Sequence, residues 1–322
     1  MRQTAVFAGI FLFGASAFAA DPQLMNLVMP DAQVMAGVNV TTAGISALGQ
    51  FVLTQMGSKD AGLQEFISAT GFDPRHDVSE ILVASAGAVA PGNGLLLAKG
   101  TFDIGKITSL IGSAKGQQIS TYAGATLISA TDAKVSHGIA FIGSNIAVAG
   151  DLVSVKGALD RAATSNSVNP ALAALVQSLS TTEDAWSVSM ASIGSLIPSV
   201  GTPQTQGAAT QTLQLVKNIQ SSSGGIKFGT NVELKAQAIA DTPQNATALA
   251  DLFRMVTSLI SMGAAQNPQA GAAAQLLQNL QITTSGTSVN IAASIPEAQI
   301  EALLSTATVK QTTPVPAARR RL

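Results

Sequence analysis

The chain contains no cysteine. Disulfides, thiolate nucleophiles and cysteine-held metals are therefore excluded. The lipid anchor of a bacterial lipoprotein, which needs a cysteine at the mature start, is excluded too. Aromatic residues make up only 4%, with a single Trp (Trp186) and a single Tyr (Tyr122). That disfavours sugar sites that stack rings, and outer-membrane barrels, whose strands carry aromatic girdles. Charged residues amount to 11% and the net charge is −1, where about a quarter of an average domain is charged. No cluster of Lys and Arg interleaved with aromatics exists to neutralise phosphates or stack bases, so nucleic acid is not an expected partner. Beyond the N-terminal region no long uncharged apolar run occurs. The best candidate, residues 249–265, carries Asp251 and Arg254 and reads as a core helix rather than a membrane span.

What is present begins with the N-terminus, "MRQTAVFAGIFLFGASAFAADPQ". Arg2 supplies a basic start, residues 5–13 an apolar run, and Ala17-Phe18-Ala19 small residues at the −3 and −1 positions of a signal-peptidase site. The expectation is a signal peptide over residues 1–19, cleaved after Ala19, and export to the periplasm or the exterior. No transmembrane segment is expected after cleavage. With 47% hydrophobic residues in a chain of 322, the remainder is expected to fold.

One local pattern recurs along the chain: a strand-like run, a turn of Thr, Ser or Asp, then a helix-like run. It appears at residues 34–53, 95–114, 145–163, 185–200, 232–256 and 288–305. Strand segments such as "HGIAFIGSNIAVAG" alternate apolar with small polar residues, the mark of antiparallel strands with one buried face. In "NATALADLFRMVTSLISM" Leu249, Leu252, Phe253, Val256 and Leu259 form one helical stripe. The expected fold is α+β, antiparallel sheets with helices packed on one face. The element order suggests two similar tandem halves, residues 30–180 and 181–306, after an N-terminal extension over 20–29. The alternative is a run of elements that any α+β protein would show. The end of the chain, residues 307–322, is Pro-rich and then basic, with Arg319 to Arg321 at its close, and reads as a disordered tail.

The densest charge lies in "GFDPRHDVSEILVAS", residues 71–85. His76 and Asp77 are the candidate catalytic residues, both weak. The competing reading is a helix stop at Gly71, a turn at Asp73-Pro74, and entry into a strand. His76 and His137 are the only histidines, and nothing in their spacing demands a metal; no metal and no cofactor are expected. Ser136 precedes His137 on a strand, so the two point to opposite faces and form no dyad. "GISALG" lacks the spacing of a nucleophile elbow. Carboxylate pairs at Asp73/Asp77, Glu183/Asp184 and Glu297/Glu301 are available in principle for acid–base work. Turns account for the first two and first-turn helix charge for the third. The glycines of "APGNGLLLAKG" and "SSSGGIKFG" match no phosphate loop and read as hairpin or loop residues.

The stretches "LVMPDAQVMAGVNV", "GFDPRHDVSEILVAS" and "LLLAKGTFDIGKI", with the later Tyr122-Ala123-Gly124 hairpin, resemble a loose group of exported bacterial proteins of unknown function. The resemblance runs from about residue 27 to 304 and implies export and fold, with no catalytic residue to carry over. Three functions stay open: a non-enzymatic binding or scaffolding protein of the envelope or exterior, a carrier of an apolar ligand such as lipid, or a hydrolase using carboxylates or His76. An apolar small molecule or an envelope protein is the corresponding partner.

Overall fold

A computed structural model describes residues 19–51, 61–87, 94–112, 116–130, 136–164, 168–192, 216–263 and 268–302. The fold is α+β. Its twelve described strands form one antiparallel sheet in the order β11-β12-β10-β9-β8-β1-β2-β3-β7-β6-β5-β4.

β1 (Val34–Asn39) lies in the middle of this sheet. On one side it pairs with β2 (Val78–Ser85), followed by β3 (Gly94–Gly100). β7 (Ile146–Asp151), β6 (His137–Ile142), β5 (Ala125–Ala130) and β4 (Gln117–Tyr122) continue outward. On its other flank β1 pairs with β8 (Ala185–Ser189). β9 (Ile219–Lys227), β10 (Asn231–Ala240), β12 (Ser288–Pro296) and β11 (Gln281–Ser285) follow. The two runs of strands expected from the sequence are thus joined through the β1–β8 ladder into a single sheet.

Alternation along each strand sorts apolar side chains onto two faces. Leu82, Leu95, Leu97, Leu127, Ala140, Val148 and Val188 fill one core. Their sequence neighbours Ile81, Ala98, Ile128, Phe141 and Ala147 fill a second core on the reverse face. The first face is covered by α1 (Pro22–Leu27), α6 (Leu152–Ala162) and α7 (Pro170–Ser180). The reverse face carries α5 (Ile104–Gly112), with α2 (Val40–Ile45), α3 (Ala61–Thr70) and the single turn α4 (Pro74–Asp77) beside it. On that same reverse face α8 (Pro243–Gly263) packs against β10, β11 and β12, with α9 (Pro268–Leu277) alongside. Among the described residues, helices therefore lie on both faces of the first run of strands, while α8 and α9 cover the reverse face of the second and α7 reaches β8 and β9 on the other.

Helices α1 and α7 were not among the expected elements, nor was the single turn α4, whose residues were expected as a turn; α1 and α7 open on the same signal. Asp21 caps α1 with Pro22 at its first position, and Asn169 caps α7 with Pro170. The segment expected as an N-terminal extension is in fact core: Leu24, Leu27 and Val28 are fully buried. Arg161 donates to the Leu27 carbonyl, and Asn26 donates to the carbonyls of Arg161 and Thr164, clamping α1 to the end of α6. Glycines make two close approaches possible on the first face. Trp186 lies across Gly37, where a Cβ would sit 2.5 Å from the ring. Glu183 lies across Gly225, where a Cβ would meet its Cγ at 2.3 Å. Gly224 and Gly225 are thus strand residues of β9, not the loop residues expected, because small residues are what lets neighbours lie flat on the sheet there.

Candidate functional site

The charged stretch at residues 71–85 folds largely as its residue types dictate. Gly71 takes φ +72° and ends α3 in the left-handed region. Asp73 accepts from the Arg75 amide and caps α4, whose first residue is Pro74. The Arg75 guanidinium also grips the Asp73 carboxylate through Nε and Nη2, at 2.8 and 2.6 Å. That hydrogen bond holds the Asp73 carboxyl below its ordinary value. Asp77 Oδ2 turns back to accept from the Asp73 amide at 2.7 Å.

His76 and Asp77 are adjacent, but they do not form a working pair. Asp77 is committed to the turn, whereas the His76 side chain is 79% exposed, with Asp73 Oδ2 4.0 Å away. A groove of about 520 Å³ opens beside them, lined by Val40, Thr41, Ile45, Gln50, Arg75 and His76. His137 does not converge on it. His137 lies opposite Asp151, at the end of β6, and the neighbouring β7 residue Gly150 pairs with Leu95. His76 sits before Val78, which pairs with Gly100 at the other end of β3. The two histidines are separated by most of a strand length, roughly 20 Å at 3.3 Å per residue. Among the described residues no group of three or more His, Asp or Glu could hold a metal.

A second charged cluster holds the Glu183/Asp184 pair, which the sequence offered as carboxylates for acid–base work and accounted for as a turn. Glu183 and Asp184 lie in the turn between α7 and β8, yet their side chains are only 2% and 6% exposed. Asp184 accepts from the Phe228 amide at 2.7 Å and from Lys227 Nζ at 3.1 Å. Glu183 Oε1 accepts from Thr182 Oγ1 and from Lys235 Nζ at 3.3 Å, and its Oε2 is buried with no partner. Lys235 also approaches Glu233 at 3.9 Å. The signal that could have found this pair is "GGIK" and "VELK" downstream: two lysines on strands that run beside the turn. The pair ties the start of β8 to β9 and β10. Beside it, a groove of about 560 Å³ is lined by Asn231, Glu233, Lys235, Gln278, Gln281 and Ser294.

A third ionic group lies under the N-terminal helix. Lys99 is ion-paired with Asp21, whose amide donates to Glu80 Oε1 at 3.1 Å. Burial pushes the Glu80 carboxyl above its ordinary value of 4.5.

The exposed apolar residues form the remaining feature. On α8, Met255, Val256, Leu259 and Met262 face solvent at helical spacing, Leu259 58% and Met262 74% exposed. The part of this stripe that packs on the sheet is Leu249, Leu252 and Phe253.

The fold and these sites define an α+β protein built on one long antiparallel sheet, braced by buried carboxylates paired with half-exposed lysines. No family model matches the chain, and no curated protein matches it in sequence. Among solved structures it is similar to TP0453 in crystal form IV, at 12% identity and a TM-score of 0.49, over 90% of this chain and 98% of that one. Crystal form I of TP0453 gives 10% identity and a TM-score of 0.46, over 90% and 99%.

Proposed function

We propose that the chain is an exported, non-enzymatic protein of the bacterial envelope or exterior that works by binding or scaffolding. The observation that carries this reading is the apolar stripe of α8, with Met255, Leu259 and Met262 presented to water. Large apolar side chains grouped on one exposed helix face are characteristic of an interaction surface. The partner they suit is an apolar patch on another envelope component. The leader-like residues 1–19 and the resemblance to exported proteins support the location. His76 and Asp77 do not strengthen the hydrolase reading, since Asp77 is held by its own turn. An apolar-ligand carrier wants an enclosed apolar chamber; the two grooves described above are open and mixed, Lys235 and Gln281 beside Leu234 and Leu280 in one, Arg75 and His76 beside Val40 and Ile45 in the other.

The arrangement of the halves supports a duplicated origin. From the β1–β8 junction the order β1-β2-β3-β7-β6 runs one way and β8-β9-β10-β12-β11 the other. In both, the third strand leads into a helix on the same face, α5 and α8 respectively.

A photo-crosslinking residue at Leu259, introduced in the producing cells, tests the binding role. It should trap a discrete adduct that the Met255→Glu/Met262→Glu variant loses while keeping its circular dichroism. Absence of any adduct, together with turnover of a substrate by the purified protein, would replace this reading with an enzymatic one.

A further inference from the structure

The two ends of the sheet are guarded differently. The β11–β12 hairpin turns at Gly286, with Ser285 opposite Ser288. In such a two-residue hairpin the flanking pair exchanges hydrogen bonds, so Ser285, Thr283 and Gln281 point their backbone groups inward, and Ile282 and Thr284 point theirs out. Arg254 Nη2 donates to the Ile282 carbonyl at 2.9 Å. A guanidinium from α8 thus caps the outer edge of β11, a charge of the kind that keeps edges from pairing.

Among the described residues β4 has no such guard. The β4–β5 hairpin turns at Ala123 and Gly124, with φ +47° and +79°, and Tyr122 lies opposite Ala125. By the same register Tyr122, Ser120 and Gln118 bond inward to β5, while Gln117, Ile119 and Thr121 present N–H and C=O groups outward. Among the described residues, no hydrogen bond reaches those outward groups. Five of the six residues of β4 are exposed, Ile119 among them at 41%. The strand Gln-Gln-Ile-Ser-Thr-Tyr carries no charge, no proline and no bulge.

We infer that the β4 edge is the surface through which two copies of this chain associate, β4 against β4, antiparallel about a two-fold axis at Ile119. The register selects the partner. Placing Ile119 opposite its own copy sets outward-pointing Gln117 against outward-pointing Thr121 of the second chain, and the reverse. Every outward group then meets an outward group, for about six hydrogen bonds. Gln118 faces Ser120 across the axis, and no like charges oppose each other. With the axis normal to the sheet, the two reverse faces run on continuously, and the two Ile119 side chains meet beside the shallow groove between α5 and β4. The capped β11 edge does not take part, so the assembly closes at two copies instead of growing into a filament.

The cysteine-free chain makes the test direct. The full chain, run by sedimentation velocity over rising concentration, should shift reversibly from monomer to dimer. Ile119→Cys should form a disulfide-linked dimer under mild oxidation, since opposed residues of a hydrogen-bonded pair sit about 5.5 Å apart at Cα, within disulfide range. Thr283→Cys on β11 should not. Ile119→Lys, which sets two ammonium groups against each other, should weaken dimerisation at least tenfold. Thr121→Pro, which deletes an outward N–H and no ladder bond, should do the same. Monomer at every concentration, open-ended polymer, or cross-linking at residue 283 in place of 119 would overturn the inference. If a substituted β4 fails to fold, the Ile119→Cys cross-link decides alone.

Discussion

Gly225 is small because Glu183 lies on it. A methyl group there would meet the Glu183 side chain at 2.3 Å and the Ala185 carbonyl at 3.1 Å. Gly225→Ala should therefore destabilise the protein by about 1–3 kcal/mol, the usual scale of overpacking. Adding Glu183→Ala should return part of that loss, since the two changes share one contact. Chemical denaturation of the single and double variants checks this; additive losses would mean the two residues do not touch. Glu80 gives a residue-scale pH effect. Its folded pKa is raised, chiefly by burial, so its contribution is complete below its ordinary value of 4.5 and is lost as the pH climbs through the raised value. Glu80→Gln removes that dependence. Melting curves should show the variant gaining on the natural protein as pH rises from 4 to 7. A constant difference across that range would mean Glu80 has the same pKa folded and unfolded. At this scale the sequence was informative where chemistry is local, as at Gly71, Asp73 and Pro74. It placed Glu183 and Asp184 in a turn but not in the interior, because their burial depends on β9 and β10, strands more than forty residues away in the case of Lys227 and Phe228.

Among the elements, α1 carries more than its six residues suggest. Leu24 and Leu27 are sealed between α6, α7 and the sheet, and truncating either creates a cavity. Leu24→Ala should cost about 2–5 kcal/mol by denaturant titration. A cost below about 0.5 kcal/mol, the level of a surface substitution, would show that the helix is detached. Arg161→Met is milder: it keeps the packing stem and removes the donor to Leu27, so it should cost about 1 kcal/mol. Long periodic elements were legible in the sequence: the stripe read in "NATALADLFRMVTSLISM" lies on α8, whose 21 residues contain it whole. The stretch around Gly224 and Gly225 read as loop and instead lies inside β9, which starts at Ile219. Its run of Ser and Gly carries no apolar alternation, and only pairing with β8 and β10 makes it a strand. The helix expected at residues 193–200 and the tail over residues 307–322 lie outside the described residues; the helix expected over residues 208–221 reaches into them, where residues 219–221 instead open β9.

For the whole molecule, the consequential contact is the β1–β8 ladder. It unites strands from the two halves and puts Trp186 opposite Gly37 at the seam. Because a single sheet crosses this seam, unfolding should be one event. Trp186 fluorescence, which reads the seam, should lose its folded signal at the same denaturant concentration as far-ultraviolet circular dichroism, which reads the whole chain. Two separate transitions would show that the halves are independent. This seam could not be read from the sequence, since the alternation within each strand says which face is buried but not which distant strand lies alongside.

The central position of β1 has a further consequence for synthesis. It is the first described strand, yet one of its two flanks belongs to β8. A nascent polypeptide emerging N-terminus first can zip β2 onto one side of β1 soon after Ser85 appears. The other side stays unsatisfied until Ala185 is out. Over that interval the half-made sheet offers an adhesive rim to any neighbouring chain. An arrest or truncation between those points leaves a fragment that sticks, so a chain shielded until Ala185 has emerged, and released whole, suits this topology.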